Sequence, residues 1–172
     1  ICGFAACRQL RIKCADLTNP YFTADPMYRL LLMKPPKGGL PGEGDNDYAL
    51  TMNKPIYATK DAGRRFYKTF RRRALAEGLV ECKLCRSMYT YRDSTGRSVI
   101  MAGAHVDDIL WAAERELKHL LMDNLLQRFE VNQVEEGNFR FCGGNFRFCG
   151  REYSQGEDFG ILVTCKNNIE KI

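Results

Sequence analysis

The stretch "VIMAGAHVDDILWAA", Val99 to Ala113, sets Asp107 and Asp108 side by side in a run that is otherwise almost wholly apolar. Burying an unpaired carboxylate is costly, and two together repel one another. The flanking runs "VIMAGA" and "ILWAA" read as apolar strands, so His105 to Asp108 falls in a tight turn between them. The two carboxylates then stand at a sheet edge, outside the core, where a positive partner can reach them.

Upstream of this hairpin, "SMYTYRD" is a further strand, joined to it by a turn at Ser94, Thr95 and Gly96. Downstream, "ERELKHLLMDNLLQRFE" has helical spacing that turns Leu117, Leu120, Leu121 and Leu125 inward. "DAGRRFYKTFRRRALAEG" also reads as a helix, with Phe66, Phe70 and Ala74 on one face and Gly78 as its C-terminal cap. Nearer the start, "LRIKCAD" alternates Leu10, Ile12 and Cys14 with charged or small residues, a half-buried strand that ends at Asp16. "MYRLLLMKPP" is a second strand stopped by Pro35 and Pro36, and "KGGLPGEGDND" is a surface loop. "FGILVTCKNNIEKI" gives a last strand and the first turn of a helix, and "ICGFAACRQL" gives the tail of an amphipathic helix. The opening at Ile1 and the stop in mid-element suggest a piece of something longer.

With 172 residues, 45% of them hydrophobic and 27% charged, the chain suits one domain with a sizeable core rather than a disordered segment. Its surplus of five positive charges permits an anionic partner without specifying one. No apolar run approaches the roughly 20 residues needed to cross a bilayer, and the start lacks a signal-peptide pattern, so neither membrane insertion nor secretion is expected. The eight cysteines lack the spacing of a small disulfide scaffold and suit reduced thiols inside a cell. Cys82, Cys85, Cys142 and Cys149 could be drawn as a zinc site, but the second pair is not the short knuckle such sites prefer. His119 reads as a surface residue.

"GNFRFCG" occurs twice in succession, Gly137 to Gly143 and Gly144 to Gly150. A seven-residue insert would swap the faces of a continuous strand between copies. A hairpin turning at Gly143 and Gly144 would oppose Phe141 with Phe146 and Phe139 with Phe148, while facing Arg140 with Arg147. A surface bulge is the alternative.

Asp16 adds a third strand-end carboxylate to Asp107 and Asp108. Three such groups converging on one sheet edge are oxygen donors suited to Mg²⁺, and a two-metal site can clamp both oxygens of a phosphoryl displacement.

Five blocks of the chain, "KCADLTNPYF", "YRLLLMKPPKG", "NKPIYATKDAGRRFYKTF", "MYTYRDSTGRSVIMAGAHVDDILWAA" and "FRFCGREY", resemble in order and spacing the reverse transcriptase domain of copia-type retrotransposon Pol polyproteins. The resemblance covers nearly the whole chain. It implies an α+β fold, a polymerase palm-like antiparallel sheet with helices packed on one face, with residues 1–172 forming a partial palm domain. Most of the fingers would precede it, and thumb and RNase H would follow.

By that resemblance Asp16 and Asp107 ligate two Mg²⁺ ions, with Mn²⁺ a possible substitute, Asp108 completes the acidic cluster, and the Leu17 carbonyl is an extra ligand. The implied activity is that of an RNA-directed DNA polymerase, a nucleotidyltransferase: a primer 3′-hydroxyl attacks the α-phosphate of a dNTP on an RNA template. Tyr21 matches the aromatic that excludes ribonucleotides, although a core aromatic beside Phe22 would look the same. Lys60 falls in the segment lining the nascent base-pair pocket. Arg64, Arg65 and Lys68 would contact template phosphates, or else merely form a solvated face. Further partners would be the integrase and RNase H regions of the polyprotein. The location would be a cytoplasmic virus-like particle or the nucleus.

The chain departs from the family pattern in three places: His105 replaces a tyrosine, Pro20 an alanine, and "KDAG" stands for "KQAP", placing Asp61 near the expected triphosphate. These departures, with the duplication, keep open a second reading as a decayed element that folds or binds nucleic acid without catalysis. The isolated 172-residue piece is expected to be inactive or nearly so.

Overall fold

The computed structural model describes residues 1–41, 48–114, 116–136, 145–149 and 151–165. Its elements, in chain order, are helix α1 (Cys2–Arg8), β1 (Ile12–Leu17), a 3₁₀ turn (Pro20–Thr23), β2 (Leu32–Met33), β3 (Leu50–Thr51), α2 (Ala62–Ala76), β4 (Val80–Glu81), β5 (Met88–Arg92), β6 (Ser98–His105), β7 (Asp108–Ala113), α3 (Glu116–Leu126), β8 (Val131–Glu136), β9 (Asn145–Phe148), β10 (Arg151–Gln155) and β11 (Ile161–Thr164). A six-stranded sheet runs in the order β4-β5-β6-β7-β1-β8. All its neighbouring strands pair antiparallel. A three-stranded sheet, β11-β10-β9, and a short ribbon, β2-β3, complete the fold. This is the α+β class.

Side chains alternate across a strand, so β1 and β7 each feed two cores. Ala15, Leu17, Ile109, Trp111 and Ala113 point to one face, where Phe66, Phe70 and Ala74 of α2 and Met122, Leu125 and Leu126 of α3 cover them. Ile12, Cys14, Leu110 and Ala112 point to the other face and pack on Ala5 of α1, with Phe148, Tyr153 and Ile161 of the small sheet beside them. The expectation of helices on one face is therefore corrected: α2 and α3 share a face, while α1 lies on the opposite one. The reason is the alternation of β1 itself, whose Ile12 and Cys14 need a cover of their own.

The α2 stripe of Phe66, Phe70 and Ala74 is buried as its spacing implies. Its end is a Schellman motif: Gly78 N–H donates to the Leu75 carbonyl (3.0 Å) and Leu79 N–H to that of Ala74 (3.0 Å). Gly78 holds φ of 82°, and an added Cβ would meet the Tyr91 ring at 3.3 Å.

Three expectations change. In α3, Leu125 is buried but Leu120 is 54% exposed, and Met122 and Leu126 take the inward positions that lead to Phe129. The run "MYRLLLMKPP" yields only the two residues of β2, with Leu30 and Leu32 exposed, because its partner among the described residues, β3, is equally short. Asp108 begins β7 rather than ending the turn.

The second copy of the heptapeptide supplies β9, which pairs with β10 so that Arg147 faces Glu152 and bonds it at 3.2 Å. The first copy, and the expected turn at Gly143 and Gly144, lie outside the described residues, as do the segment 42–47 and the helical turn expected after Thr164.

Candidate active site

Three strand ends meet at the site. In the β6–β7 hairpin His105 pairs with Asp108, leaving Val106 and Asp107 as a two-residue turn. Val106 has φ of 53°, a left-handed conformation that a β-branched residue adopts only under strain. Hairpin turns of this length favour glycine or asparagine at such a position. The cost is on the order of 1–3 kcal/mol, and the sheet on both sides holds the turn in place.

Along β1 and β7 the register runs Cys14 to Leu110, Ala15 to Ile109, and Asp16 to Asp108. Asp16 and Asp108 are therefore direct cross-strand neighbours on one face, although more than 90 residues of chain separate them. The Leu17 N–H donates to the Asp107 carbonyl at 2.8 Å, which ties the turn to the end of β1. Like charges placed opposite each other destabilise a sheet, and each carboxylate here has a polar partner. Asn132 Nδ2, on β8, donates to Asp16 Oδ2 at 3.2 Å, and the Cys149 backbone N–H donates to Asp108 Oδ2 at 3.1 Å.

The electrostatics report the same convergence. Burial raises the Asp108 carboxyl above the usual range; the Cys149 N–H opposes this, and the charges of Asp107 and Asp16 push it further up. Partial burial, Asp107, Tyr21 and Asp16 together raise the Tyr57 hydroxyl. The Cys14 thiol is pushed up to about 12, first by burial and then by Asp108, Glu135, Asp16 and Cys149. Cys14 thus lies beside a cleft rich in negative charge. That cleft, about 500 Å³, is lined by Cys14, Asp16, Asp108, Asn132, Glu135 and Arg147, among others.

These hard oxygen donors, crowded with like charge, have the chemistry that suits a divalent cation. As folded, however, no three or more His, Cys, Asp or Glu side chains among the described residues stand close enough to hold a metal ion. The bonds to Asn132 and Cys149 occupy oxygens of two of the three carboxylates. The zinc arrangement likewise has no support among these residues: Cys82 and Cys85 lie between β4 and β5, Cys149 lies beside Asp108, and Cys142 lies outside the described residues.

The surrounding residues fall on the helix side. Tyr21, in the 3₁₀ turn, stands edge-on to Tyr57 (4.6 Å) and Phe66 (6.4 Å) and is partly buried against the core. Pro20 opens that turn at a position whose N–H would be unpaired in any case, so its lack of a donor costs little. Lys60, in the turn before α2, is exposed. Asp61 does not present a bare charge: Arg65 (2.9 Å) and Arg29 (2.8 Å) bond its two oxygens and hold its carboxyl below the usual range. Arg64 and Lys68 are exposed on α2. Sequence reasoning missed Asn132 and the Cys149 N–H. Neither belongs to an acidic motif, and topology alone delivers them.

No family model matches the chain. Over 138 residues it is 31% identical to a retrovirus-related Pol polyprotein from transposon RE2 of Arabidopsis thaliana. Over 137 residues it is 28% identical to the corresponding polyprotein from transposon RE1 of the same plant. Each match covers 79% of this chain and 9% of the relative's length. These matches agree with the resemblance carried by the ordered blocks: the chain belongs to the retrovirus-related Pol polyproteins of transposons and corresponds to one segment of them.

Proposed function

We propose that this segment carries the palm strands of an RNA-directed DNA polymerase, with Asp16, Asp107 and Asp108 as its catalytic acids. One observation carries the reading: Asp16 lies opposite Asp108 in the β1–β7 register while Asp107 is bonded through its carbonyl to Leu17. Two divalent cations, Mg²⁺ or Mn²⁺, held by these carboxylates with the Leu17 carbonyl as an additional donor, would stabilise charge on the transferring phosphoryl group, which needs little beyond alignment and electrostatics. Binding them would require the three carboxylates to draw closer together than they stand; the bonds from Asn132 and the Cys149 N–H each engage one oxygen, Oδ2, of Asp16 and Asp108, and leave the other for a cation. Tyr21 would border the sugar of an incoming dNTP, Lys60 would approach the nascent base pair, and Arg64, Arg65 and Lys68 would lie along the template. The primer, the RNA template and the remaining Pol regions, integrase and RNase H, are the partners this reading calls for, in a cytoplasmic particle or the nucleus.

A decayed element is the second reading. It is favoured by the same two bonds, since the duplicated heptapeptide contributes the N–H that occupies Asp108. Primer extension by the complete polymerase region of the parent element, in Mg²⁺, separates the two. The proposal expects extension that Asp107→Asn lowers by at least a hundredfold. Extension unaffected by that substitution, or no extension by the parent at all, contradicts it. The 172-residue chain alone should extend a primer little or not at all.

A further inference from the structure

We infer that Tyr28 and the cations of α2 form a site for single-stranded nucleic acid, with the Tyr28 ring stacking on an unpaired base and Arg64 and Lys68 contacting phosphates. Tyr28 is 91% exposed, so its ring is open to a partner. It is not a loose side chain, because the Arg65 guanidinium lies over its ring at 5.3 Å. Arg65 is itself fixed, by Asp61 at 2.9 Å and by the Pro26 carbonyl at 3.0 Å. One face of the ring is thus backed by a cation, and the exposure leaves room for a base against the other.

The ring forms part of a cleft of about 350 Å³ whose other walls are Asp25, Asp61, Arg64, Arg65 and Lys68. Both carboxylates are already neutralised, Asp25 by Arg72 (2.7 Å) and Asp61 by Arg29 and Arg65. Arg64 and Lys68, exposed and with no ion-pair partner among the described residues, supply the surplus positive charge. A cationic groove with an open aromatic is the combination that binds single strands with little sequence preference. A base inside a duplex has both faces covered by its neighbours, so the ring discriminates against duplex.

The inference deepens the template role proposed for α2 and rests on that reading for the source of the strand. Fluorescence anisotropy with labelled 12-nucleotide single-stranded RNA and DNA, and with the same sequences as blunt duplexes, tests it on the 172-residue chain. Tyr28→Ala should weaken single-strand binding by about 5- to 150-fold, the ratio that stacking one base supplies, while leaving duplex binding and the salt slope unchanged. Tyr28→Trp should retain affinity, and Arg64→Ala should reduce the salt slope by about 0.7. Equal single-strand binding by wild type and Tyr28→Ala, or an equal loss on duplex, overturns the inference, as does an absence of binding to any of the probes. Its failure with Asp107-dependent extension intact leaves the polymerase reading standing. Conversely, Tyr28-dependent binding by an element that never extends primers leaves this inference standing alone.

Discussion

On its helix side the six-stranded sheet meets Phe66, Phe70, Phe129, Met122 and Leu125; on its other side it meets Ala5, the fringe of the small sheet, and a charged cleft. The first face is a mosaic of aromatic rings, Phe70 lying 5.5 Å from both Tyr89 and Phe129. The second is thin: its strands offer Ile12, Cys14, Leu110 and Ala112 and then, at their ends, Asp16 and Asp108. The same two strands, β1 and β7, thus carry an apolar core on one side and end in paired carboxylates on the other. The alternation of side chains is what lets them do both. Carboxylates can be crowded at one strand end because the opposite face holds the sheet rigid.

This contrast breaks most visibly at Phe70, which is 2% exposed. Phe70→Ala should cost about 3–5 kcal/mol in urea denaturation; a loss below 1 kcal/mol would mean that the aromatic side does not carry the fold. On the thin side the buried anchor is Gln155. Its Oε1 accepts from the Ile12 N–H (3.1 Å), and its Nε2 donates to the Leu10 carbonyl (2.7 Å), clamping the small sheet onto the start of β1. Gln155→Ala should cost about 1–3 kcal/mol by leaving those groups unpaired. It should also speed amide exchange in β9 and β10 while sparing α2.

Smaller again is the strain at Val106. Val106→Asn, a residue that tolerates the left-handed region, should stabilise the chain by about 1 kcal/mol if the φ of 53° is held against the side chain's preference. The smallest effect, and the one that isolates the acidic cluster, is the pH dependence contributed by Asp108. Its folded-state pKa is raised, so at the pH where it ionises the native state binds more protons than the unfolded one. Its contribution therefore falls as pH rises from the ordinary carboxylate range through the raised value. Asp108→Asn should raise the melting temperature at pH 7 and give no gain at pH 3.

How much of this was legible in the sequence depended on whether a residue's neighbours lie nearby in the chain. β1 could be read from the alternation of Leu10, Ile12 and Cys14, and α2 from Phe66, Phe70 and Ala74 with Gly78 beyond, because period and cap are local signals. The three aspartates could be read because their apolar frames mark strand ends. Leu120 could not: α3 is amphipathic in more than one phase, and the side that wins is set by the position of Phe129 over α2, a tertiary fact. The apolar run through Leu30 and Leu32 has strand-like hydrophobicity, but pairing depends on a second segment, and among the described residues β3 pairs only Leu32 and Met33. Asn132 and the Cys149 N–H reach Asp16 and Asp108 from β8 and from the end of β9, and no local pattern announces such a meeting.

The proposed polymerase chemistry requires that Asp16, Asp107 and Asp108 act together on divalent cations. Titration of the chain with Mn²⁺, followed by the electron paramagnetic resonance of the free ion, tests it most directly. Saturable binding that Asp16→Asn and Asp107→Asn each weaken at least tenfold is the predicted result; binding that is absent, or unchanged in both variants, would contradict it.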